Sequence, residues 1–173
     1  NYNDTAKDKN AKIEVFGNKA VGIYAKASRE ENGKILDNEY GNQKEQGLIN
    51  VTNNGVIDVS HGMGTVGISA YNNYSGDDKT GHGAAENKVV NNGLIKVGTS
   101  DKNNSSVGIY GDKVTITNNK TIEVGNGIEE KAGDEIIKHY GGVGIFAVNG
   151  SVIDKIGGLI LGDYATGVVV DGT

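Results

Sequence analysis

The 173-residue sequence contains no cysteine, no proline and no tryptophan. Without cysteine, the chain can form neither a disulfide framework nor a thiolate metal site. Basic residues are also in the minority: 17 lysine and arginine residues, of which Arg29 is the only arginine, stand against 22 acidic residues, for a net charge of −5. A mildly acidic chain without a basic stripe is a poor partner for nucleic acid.

Long apolar runs are missing as well, since no stretch of 18 apolar residues occurs. The chain is instead rich in glycine, with 28 residues, and in short β-branched segments. Residues 106–125 contain three such segments in succession, at 107–110, 113–117 and 121–124. Their apolar residues occupy alternate positions, which predicts three short strands that are each buried on one face.

These segments recur along the chain. The first, V-G-I followed by two further residues, occurs at 21–25, 66–70, 107–111 and 143–147, with the variant TGVVV at 166–170. The third, of the form N-N-x-x-I-x-V, occurs at 53–59, 91–97 and 118–124, with weaker copies at 10–17 and 155–162. One copy cannot cover its own apolar face, so the copies are expected to stack as rungs of an all-β solenoid of about four to five rungs.

In such a solenoid each strand pairs in parallel with its copy in the next rung, about 4.8 Å away. We expect the valine and isoleucine of V-G-I to face the core and the glycine between them, such as Gly108, to face outward. The asparagine pairs are expected at corners, in the left-handed conformation, with their amides bonded from rung to rung as a ladder. The alternative is that Asn-Gly marks β-hairpin turns. The solenoid is favoured because the pair recurs in phase with V-G-I.

Four polar segments interrupt the rungs, at residues 26–46, 71–87, 99–105 and 126–142. The first two follow the V-G-I strand and the last two follow the third strand, so each pair is expected to stack at one corner of the coil. Residues 129–138 have room for one helical turn, although Gly133 argues against a longer helix. Loops on a rigid scaffold are where recognition usually occurs, so binding is expected in these insertions.

The insertion at residues 71–87 is the best candidate for a binding site. Tyr71 and Tyr74 can act as amphipathic anchors, and Asp77, Asp78 and His82 offer polar contacts. The alternative is a solvated loop, because the spacing matches no calcium-binding motif. We predict no metal site and no cofactor.

A second candidate is aromatic. Tyr24, Tyr110 and Phe146 occupy the same outward position of the V-G-I strand in different rungs. Aligned side chains of this kind form a flat platform for carbohydrate, and Tyr110 and Phe146, on neighbouring rungs, are placed to stack. The alternative is packing between rungs beneath an insertion.

Catalysis is not predicted from the strand faces. The third strand exposes Glu14, Asp58, Lys96 and Glu123, and Lys96 separates Asp58 from Glu123, whereas glycoside hydrolysis needs two neighbouring carboxylates. A solvated face of alternating charge is therefore the interpretation. The three histidines, at positions 61, 82 and 139, show no metal-binding spacing.

The pattern N-N-G-x-I-x-V-G followed by V-G-I-[YFS]-A resembles the passenger domains of large Gram-negative autotransporter adhesins, most closely the fusobacterial type. The resemblance covers the rungs and leaves the insertions without a counterpart. It implies a right-handed parallel β-helix that is exported through the outer membrane by a C-terminal translocator barrel, which this sequence does not include. It carries over no catalytic residue, because the motif positions are structural.

The same resemblance implies adhesion at the cell surface or outer membrane, or in secreted form. The implied partner is a host cell-surface protein or glycan, or the surface of another bacterium. We expect residues 1–173 to form a single β-helix segment of a longer passenger. Two alternatives are kept: a non-binding structural stalk, and a β-helix lyase or hydrolase that acts on polysaccharide.

Overall fold

The computed structural model describes residues 11–27, 48–72 and 86–172, together with the backbone of two short strands at Glu30–Glu31 and Lys34–Ile35. Every regular element in this part of the chain is a β-strand, so the predicted all-β class is confirmed. Within it there is no helix of the length and apolarity needed to cross a lipid bilayer.

In chain order the strands are β1 (Lys12–Glu14), β2 (Val21–Ala27), β3 (Glu30–Glu31), β4 (Lys34–Ile35), β5 (Asn50–Asn53), β6 (Val56–Met63), β7 (Val66–Asn72), β8 (Lys88–Asn91), β9 (Leu94–Thr99), β10 (Val107–Asp112), β11 (Thr115–Asn118), β12 (Thr121–Val124), β13 (Ile128–Ala132), β14 (Glu135–Tyr140), β15 (Val143–Val148), β16 (Val152–Lys155), β17 (Gly158–Leu161) and β18 (Thr166–Asp171).

Three parallel sheets account for most of these strands. The first sheet has the order β18-β15-β10-β7-β2, the second β16-β11-β8-β5, and the third β1-β6-β9-β12-β17. The chain visits the first, second and third sheets in turn and then starts the next rung, which makes the fold a parallel β-helix. Four complete rungs lie in the described part of the chain, and β1 and β18 belong to further, partial rungs.

The rungs are stacked in register. Ile109 of β10 pairs with Ile68 of β7 on one side and with Ile145 of β15 on the other. At the start of the same strand the Val107 amide donates to the Thr65 carbonyl of the neighbouring rung, at 2.8 Å. Backbone donors and acceptors are thus satisfied between rungs, because equivalent residues arrive at equivalent heights.

Columns of β-branched side chains fill the space between the three sheets. Fully buried members are Ile68, Ile109 and Ile145 from the first sheet, Val89 and Ile116 from the second, and Ile57, Ile95 and Ile122 from the third. Burying one such side chain contributes about 1.5–3 kcal/mol, so the columns supply the main force that stacks one rung on the next.

The glycine of the V-G-I motif faces the core, and the prediction that it faces outward is wrong. A Cβ atom on Gly108 would lie 2.3 Å from Cγ2 of Ile122 in the third sheet and 2.5 Å from the carbonyl oxygen of Gly144 in the next rung. The methyl group of Ile122 therefore occupies the space that a side chain would need. Of the valine and isoleucine that were expected to face the core, Ile109 belongs to the core cluster as predicted. Val107 is 8% exposed and lies outside that cluster.

The predicted asparagine ladder is confirmed and is double. An inner ladder runs through the corner between the second and third sheets: Asn53 Nδ2 donates to Asn91 Oδ1, and Asn91 Nδ2 donates to Asn118 Oδ1, each at 2.7 Å. Its three members are buried. An outer ladder beside it joins Asn119 to Asn92 at 2.8 Å and Asn92 to Asn54 at 3.0 Å.

The asparagine pairs of this corner do not adopt the left-handed conformation, so that part of the prediction is wrong. Positive φ among non-glycine residues of the described chain occurs at Lys19, Lys113, Asn149 and Tyr164. The corner is turned instead by the asparagine side chain, because Asn91 Oδ1 accepts a hydrogen bond from the Gly93 amide at 3.2 Å. This local bond closes the turn without a strained backbone.

The insertions leave the coil at the two predicted corners. One corner joins the first sheet to the second, between β2 and β5 and between β7 and β8, and the other joins the third sheet to the first, between β9 and β10 and between β12 and β15. The helical turn expected within residues 129–138 is wrong, because β13 and β14 form an antiparallel hairpin. Gly133, with φ of +65°, allows the tight turn between them.

Replacing Gly108 with alanine is expected to destabilise the fold by about 1–3 kcal/mol, because the new methyl group overpacks the contact with Ile122 and the neighbouring backbone. The equivalent Gly167 is the control, since a Cβ there would meet only the side-chain tips of Leu159 and Leu161, at 3.3 and 3.6 Å. Urea unfolding measures both variants. Equal stability of Gly108→Ala and Gly167→Ala would contradict the inward orientation.

Replacing Asn91 with alanine is expected to cost about 2–4 kcal/mol, because it leaves the buried Asn53 amide and the Asn118 oxygen without their ladder partner. Asn92→Ala removes the matched bonds of the outer ladder, where water can replace them, and is expected to cost less than about 1 kcal/mol. Thermal unfolding of the two variants provides the comparison. A similar loss of stability from both substitutions would show that burial does not determine how much the ladder bonds stabilise the fold.

Candidate functional site

Most of the predicted binding loop lies outside the described residues, including Tyr74, Asp77, Asp78 and His82. Tyr71 is described: it belongs to β7, is half-buried, and pairs in register with Asp112 of the next rung. Its position places it at the base of the loop, within the scaffold.

Two buried asparagines flank this loop. Asn72, 2% exposed, donates its side-chain amide to the Lys113 carbonyl at 3.4 Å. Asn87, 0% exposed, accepts a hydrogen bond at Oδ1 from the Ile49 amide of the preceding rung at 2.8 Å. Both ends of the loop are therefore fixed by bonds to neighbouring rungs.

The three aromatic residues share the outer face of the first sheet, as predicted from their spacing. Ser69 stands between Tyr24 and Tyr110 in the register, and Phe146 follows Tyr110 in the next rung. The Tyr110 and Phe146 rings meet edge to face, with centroids 5.8 Å apart and planes at 81°, rather than stacked. Tyr24 is 63% exposed, so one open ring and one perpendicular pair line this face; carbohydrate binding by them stays a prediction.

The Tyr110 hydroxyl is held in its neutral form. Its partial burial raises the pKa of the phenol, and the negative charge of Asp112 and the nearby Tyr71 add to the shift. A tyrosine hydroxyl is uncharged at neutral pH even with its ordinary pKa, so the group acts there as a hydrogen-bond donor and acceptor.

Sequence reasoning missed a cluster of charged side chains on the third sheet. Glu14 of β1 and Asp58 of β6 are register neighbours, so two carboxylates do lie on adjacent rungs. The sequence predicts that Glu14 is exposed but not that it pairs with Asp58, because Glu14 belongs to one of the weaker copies of the repeat. Alignment of KIEV at 12–15 with VIDV at 56–59 is the signal that finds the pair.

Two basic groups complete this cluster. Lys12 Nζ lies 2.7 Å from Glu14 Oε1 and 3.6 Å from Asp58 Oδ2. His61 Nε2 lies 3.4 Å from Glu14 Oε1 and 3.9 Å from Asp58 Oδ1. Ser60 donates its hydroxyl to Asp58 Oδ1 at 2.6 Å, which fixes that carboxylate from the side away from Lys12. These four side chains are called the β1–β6 cluster: Lys12, Glu14, Asp58 and His61.

The carboxylates of the β1–β6 cluster favour the ionised form. The hydrogen bond from Lys12 lowers the pKa of Glu14. Burial acts to raise the pKa of Asp58, but hydrogen bonds from Ser60 and the charges of Lys12 and His61 outweigh it and hold the pKa below its ordinary value. Neither carboxyl keeps a proton at neutral pH, so the pair lacks the general acid that glycoside hydrolysis requires and is suited to binding cations.

A second histidine fastens the hairpin to the next rung. His139 of β14 stacks on Tyr164, with ring centroids 4.3 Å apart and planes at 13°. Its Nε2 lies 3.8 Å from Glu129 Oε1, and Glu129 accepts a hydrogen bond from the Tyr164 hydroxyl, which lowers the pKa of Glu129. A comparable packing occurs at the β1–β6 cluster, where Phe16 stacks on His61; at His139 a single carboxylate lies beside the imidazole.

The lowered pKa of Asp58 has a measurable consequence. Its stabilising effect is present above the unfolded value of 3.8 and is lost as pH falls through the folded pKa. Ser60→Ala removes a hydrogen bond to the carboxylate, so the titration midpoint of Asp58, followed by carboxyl carbon NMR shifts, is expected to rise. Ser69→Ala, on another sheet, is the control. An unchanged midpoint in Ser60→Ala would contradict the assigned cause.

No protein-family model matches the chain, and neither a curated protein nor a solved structure matches it.

Proposed function

We propose that this chain is a surface-exposed segment of an autotransporter passenger that acts in adhesion, with loops on a rigid β-helix as the binding elements. The proposal combines the resemblance of the repeats with the architecture of the corners. Export through an outer membrane, location at the cell surface or in secreted form, and a host or bacterial partner all belong to it.

The observation that carries the proposal is the independence of corner length from the scaffold. Between Asp112 and Thr115 the corner of the first and second sheets needs only Lys113 and Val114, whereas one rung earlier the same corner contains residues 72–87. Asp112 nevertheless pairs with Tyr71, and Thr115 with Lys88, so the strands on both sides stay in register. Strands that keep their pairing while the length of the connecting loop changes are the arrangement expected of recognition loops on a rigid scaffold.

The chemistry of the loop suits a protein or glycan surface. Tyr71 and Tyr74 combine an apolar ring with a hydroxyl, which contributes binding area at little entropic cost. Asp77, Asp78 and His82 add hydrogen-bonding groups of the kind that read sugar hydroxyls or polar protein surfaces. The ligand class proposed is a host cell-surface protein or glycan, or the surface of a partner bacterium.

A stalk is the second candidate, and the two asparagine ladders favour it. The inner ladder links Asn53 to Asn91 and Asn91 to Asn118, and the outer ladder runs beside it. Both ladders extend along the axis of the helix, parallel to the hydrogen bonds of the three sheets. Such axial bonding makes a rod that resists bending and can hold a distal domain away from a cell. A polysaccharide-cleaving enzyme is less favoured, since the adjacent carboxylates Glu14 and Asp58 lack a proton to donate.

Deleting residues 73–86 tests the adhesin proposal. The deletion joins Asn72 to Asn87 and reproduces the two-residue corner found between Asp112 and Thr115. The melting temperature is expected to stay nearly unchanged, because loop length has a weak entropic effect. Binding to host cells, partner bacteria or glycan arrays is expected to fall to background.

Deleting residues 28–48 is the matched control. It joins Ala27, which pairs with Asn72, to Ile49, whose carbonyl accepts from the Lys88 amide as that of Asn87 accepts from Thr115. Loss of binding only in this second variant would move the site to the other insertion. Binding that survives both deletions, in folded proteins, would overturn the loop proposal and favour the stalk.

A further inference from the structure

In contrast to the sequence-based prediction of no metal site, we infer that Glu14, Asp58 and His61 form a binding site for one divalent transition metal ion, for which Zn²⁺ is the best fit. Among the described residues these three are the one group of three or more metal-ligating side chains whose ligand atoms all lie within 4.8 Å of one another. The inference goes beyond the proposed function and does not depend on it, because the site lies on the scaffold and not on the loops.

The distances suit a tetrahedral ion. Zn²⁺ takes nitrogen and carboxylate oxygen ligands at about 2.0–2.2 Å, which sets neighbouring ligand atoms about 3.3 Å apart. His61 Nε2 lies 3.4 Å from Glu14 Oε1 and 3.9 Å from Asp58 Oδ1, and the ligand atoms of all three residues lie within 4.8 Å of one another, so side-chain movements of up to about 1.5 Å bring them to three corners of the tetrahedron. Water supplies the fourth.

The donor set selects the class of ion. Calcium takes six to eight oxygen ligands, and magnesium requires octahedral oxygen coordination with several waters. One imidazole with two carboxylates is instead typical of Zn²⁺ and related borderline metals. The absence of cysteine from the chain leaves imidazole as its softest strong ligand.

Two of the three ligands are positioned by their neighbours. Ser60 donates from both its hydroxyl and its amide to Asp58 Oδ1, at 2.6 and 3.2 Å, and Asp58 is 8% exposed. Phe16 stacks on the His61 ring with centroids 4.5 Å apart and planes at 20°. Supporting contacts of this kind orient metal ligands and reduce the entropy lost on binding.

Lys12 is the competitor of the metal ion. Its ammonium group bridges Glu14 Oε1 and Asp58 Oδ2, so it marks the position that a cation prefers. The Lys12 side chain is 42% exposed and can swing into solvent when an ion binds. The affinity of the site is therefore set by exchange of a lysine ammonium group for a divalent ion.

The ion would also fasten one end of the described scaffold. β1 contributes three exposed residues, whereas Asp58 and His61 belong to the eight-residue β6. A ligand that binds only the folded state stabilises it, so Zn²⁺ is expected to raise the melting temperature. The rise should follow occupancy of this site.

Calorimetric titration of the metal-free chain with Zn²⁺ tests the inference. One ion per chain is expected at this site, and histidine ring NMR spectra should show the His61 signals shifting at the first equivalent. His61→Asn should abolish this binding event and the associated rise in melting temperature. Lys12→Gln, which removes the competing charge, should tighten binding by about tenfold or more.

Matched controls use equivalent side chains elsewhere. Lys131→Gln removes a lysine paired with Glu129 at 3.4 Å on the β13–β14 hairpin, and His139→Asn removes the histidine that has one carboxylate beside it. Both should leave Zn²⁺ affinity unchanged. The inference is overturned if His61→Asn binds as the parent does, if Lys12→Gln binds no tighter, or if the first equivalent shifts only the signals of another histidine.

Discussion

Hydrogen bonding along the axis is the constraint on which the rest of this structure depends. In each of the three parallel sheets the backbone bonds run from one rung to the next, as between Val107 and Thr65. A single rung would leave these groups without partners and would expose its apolar face. Equivalent residues must therefore meet at equivalent heights, which places isoleucine over isoleucine and asparagine over asparagine. This requirement explains why the same motif recurs in each rung of the sequence.

The same constraint divides the chain into parts that can vary and parts that cannot. Gly108 packs against Ile122 and the backbone of Gly144, so the close approach of the first and third sheets allows no side chain there. Asn91 receives one ladder bond and donates the next, so its replacement affects two rungs. The corners carry no such requirement, and the hairpin of β13 and β14 enters at one of them without disturbing the pairing of β12 with β17. New binding chemistry can therefore be added at corners while the scaffold stays fixed.

The repeats made the fold and its register predictable, because motifs in phase leave few alternatives. The inward orientation of Gly108 could not be predicted. The alternation of inward and outward residues fails in so short a strand, because glycine lets the backbone approach the opposing side chain of Ile122. Adjacent Ile136 and Ile137 break the period-two pattern of β14, which hid the hairpin. The β1–β6 cluster joins a weak copy of the repeat to a histidine that has no counterpart in other rungs. Loop residues such as Asp77 have no equivalent in other rungs, so the position of the repeat cannot be used to predict which residues they contact.

NMR scalar couplings across hydrogen bonds measure the axial pairing most directly. A long-range HNCO spectrum detects which carbonyl carbon accepts from each backbone amide. The stacked-rung account predicts correlations from Val107 to Thr65, from Val143 to Ser106 and from Thr115 to Asn87, which are pairs from neighbouring rungs. Correlations that instead join consecutive strands within one rung, such as β10 with β11, would show hairpins in place of a parallel β-helix and would contradict the account.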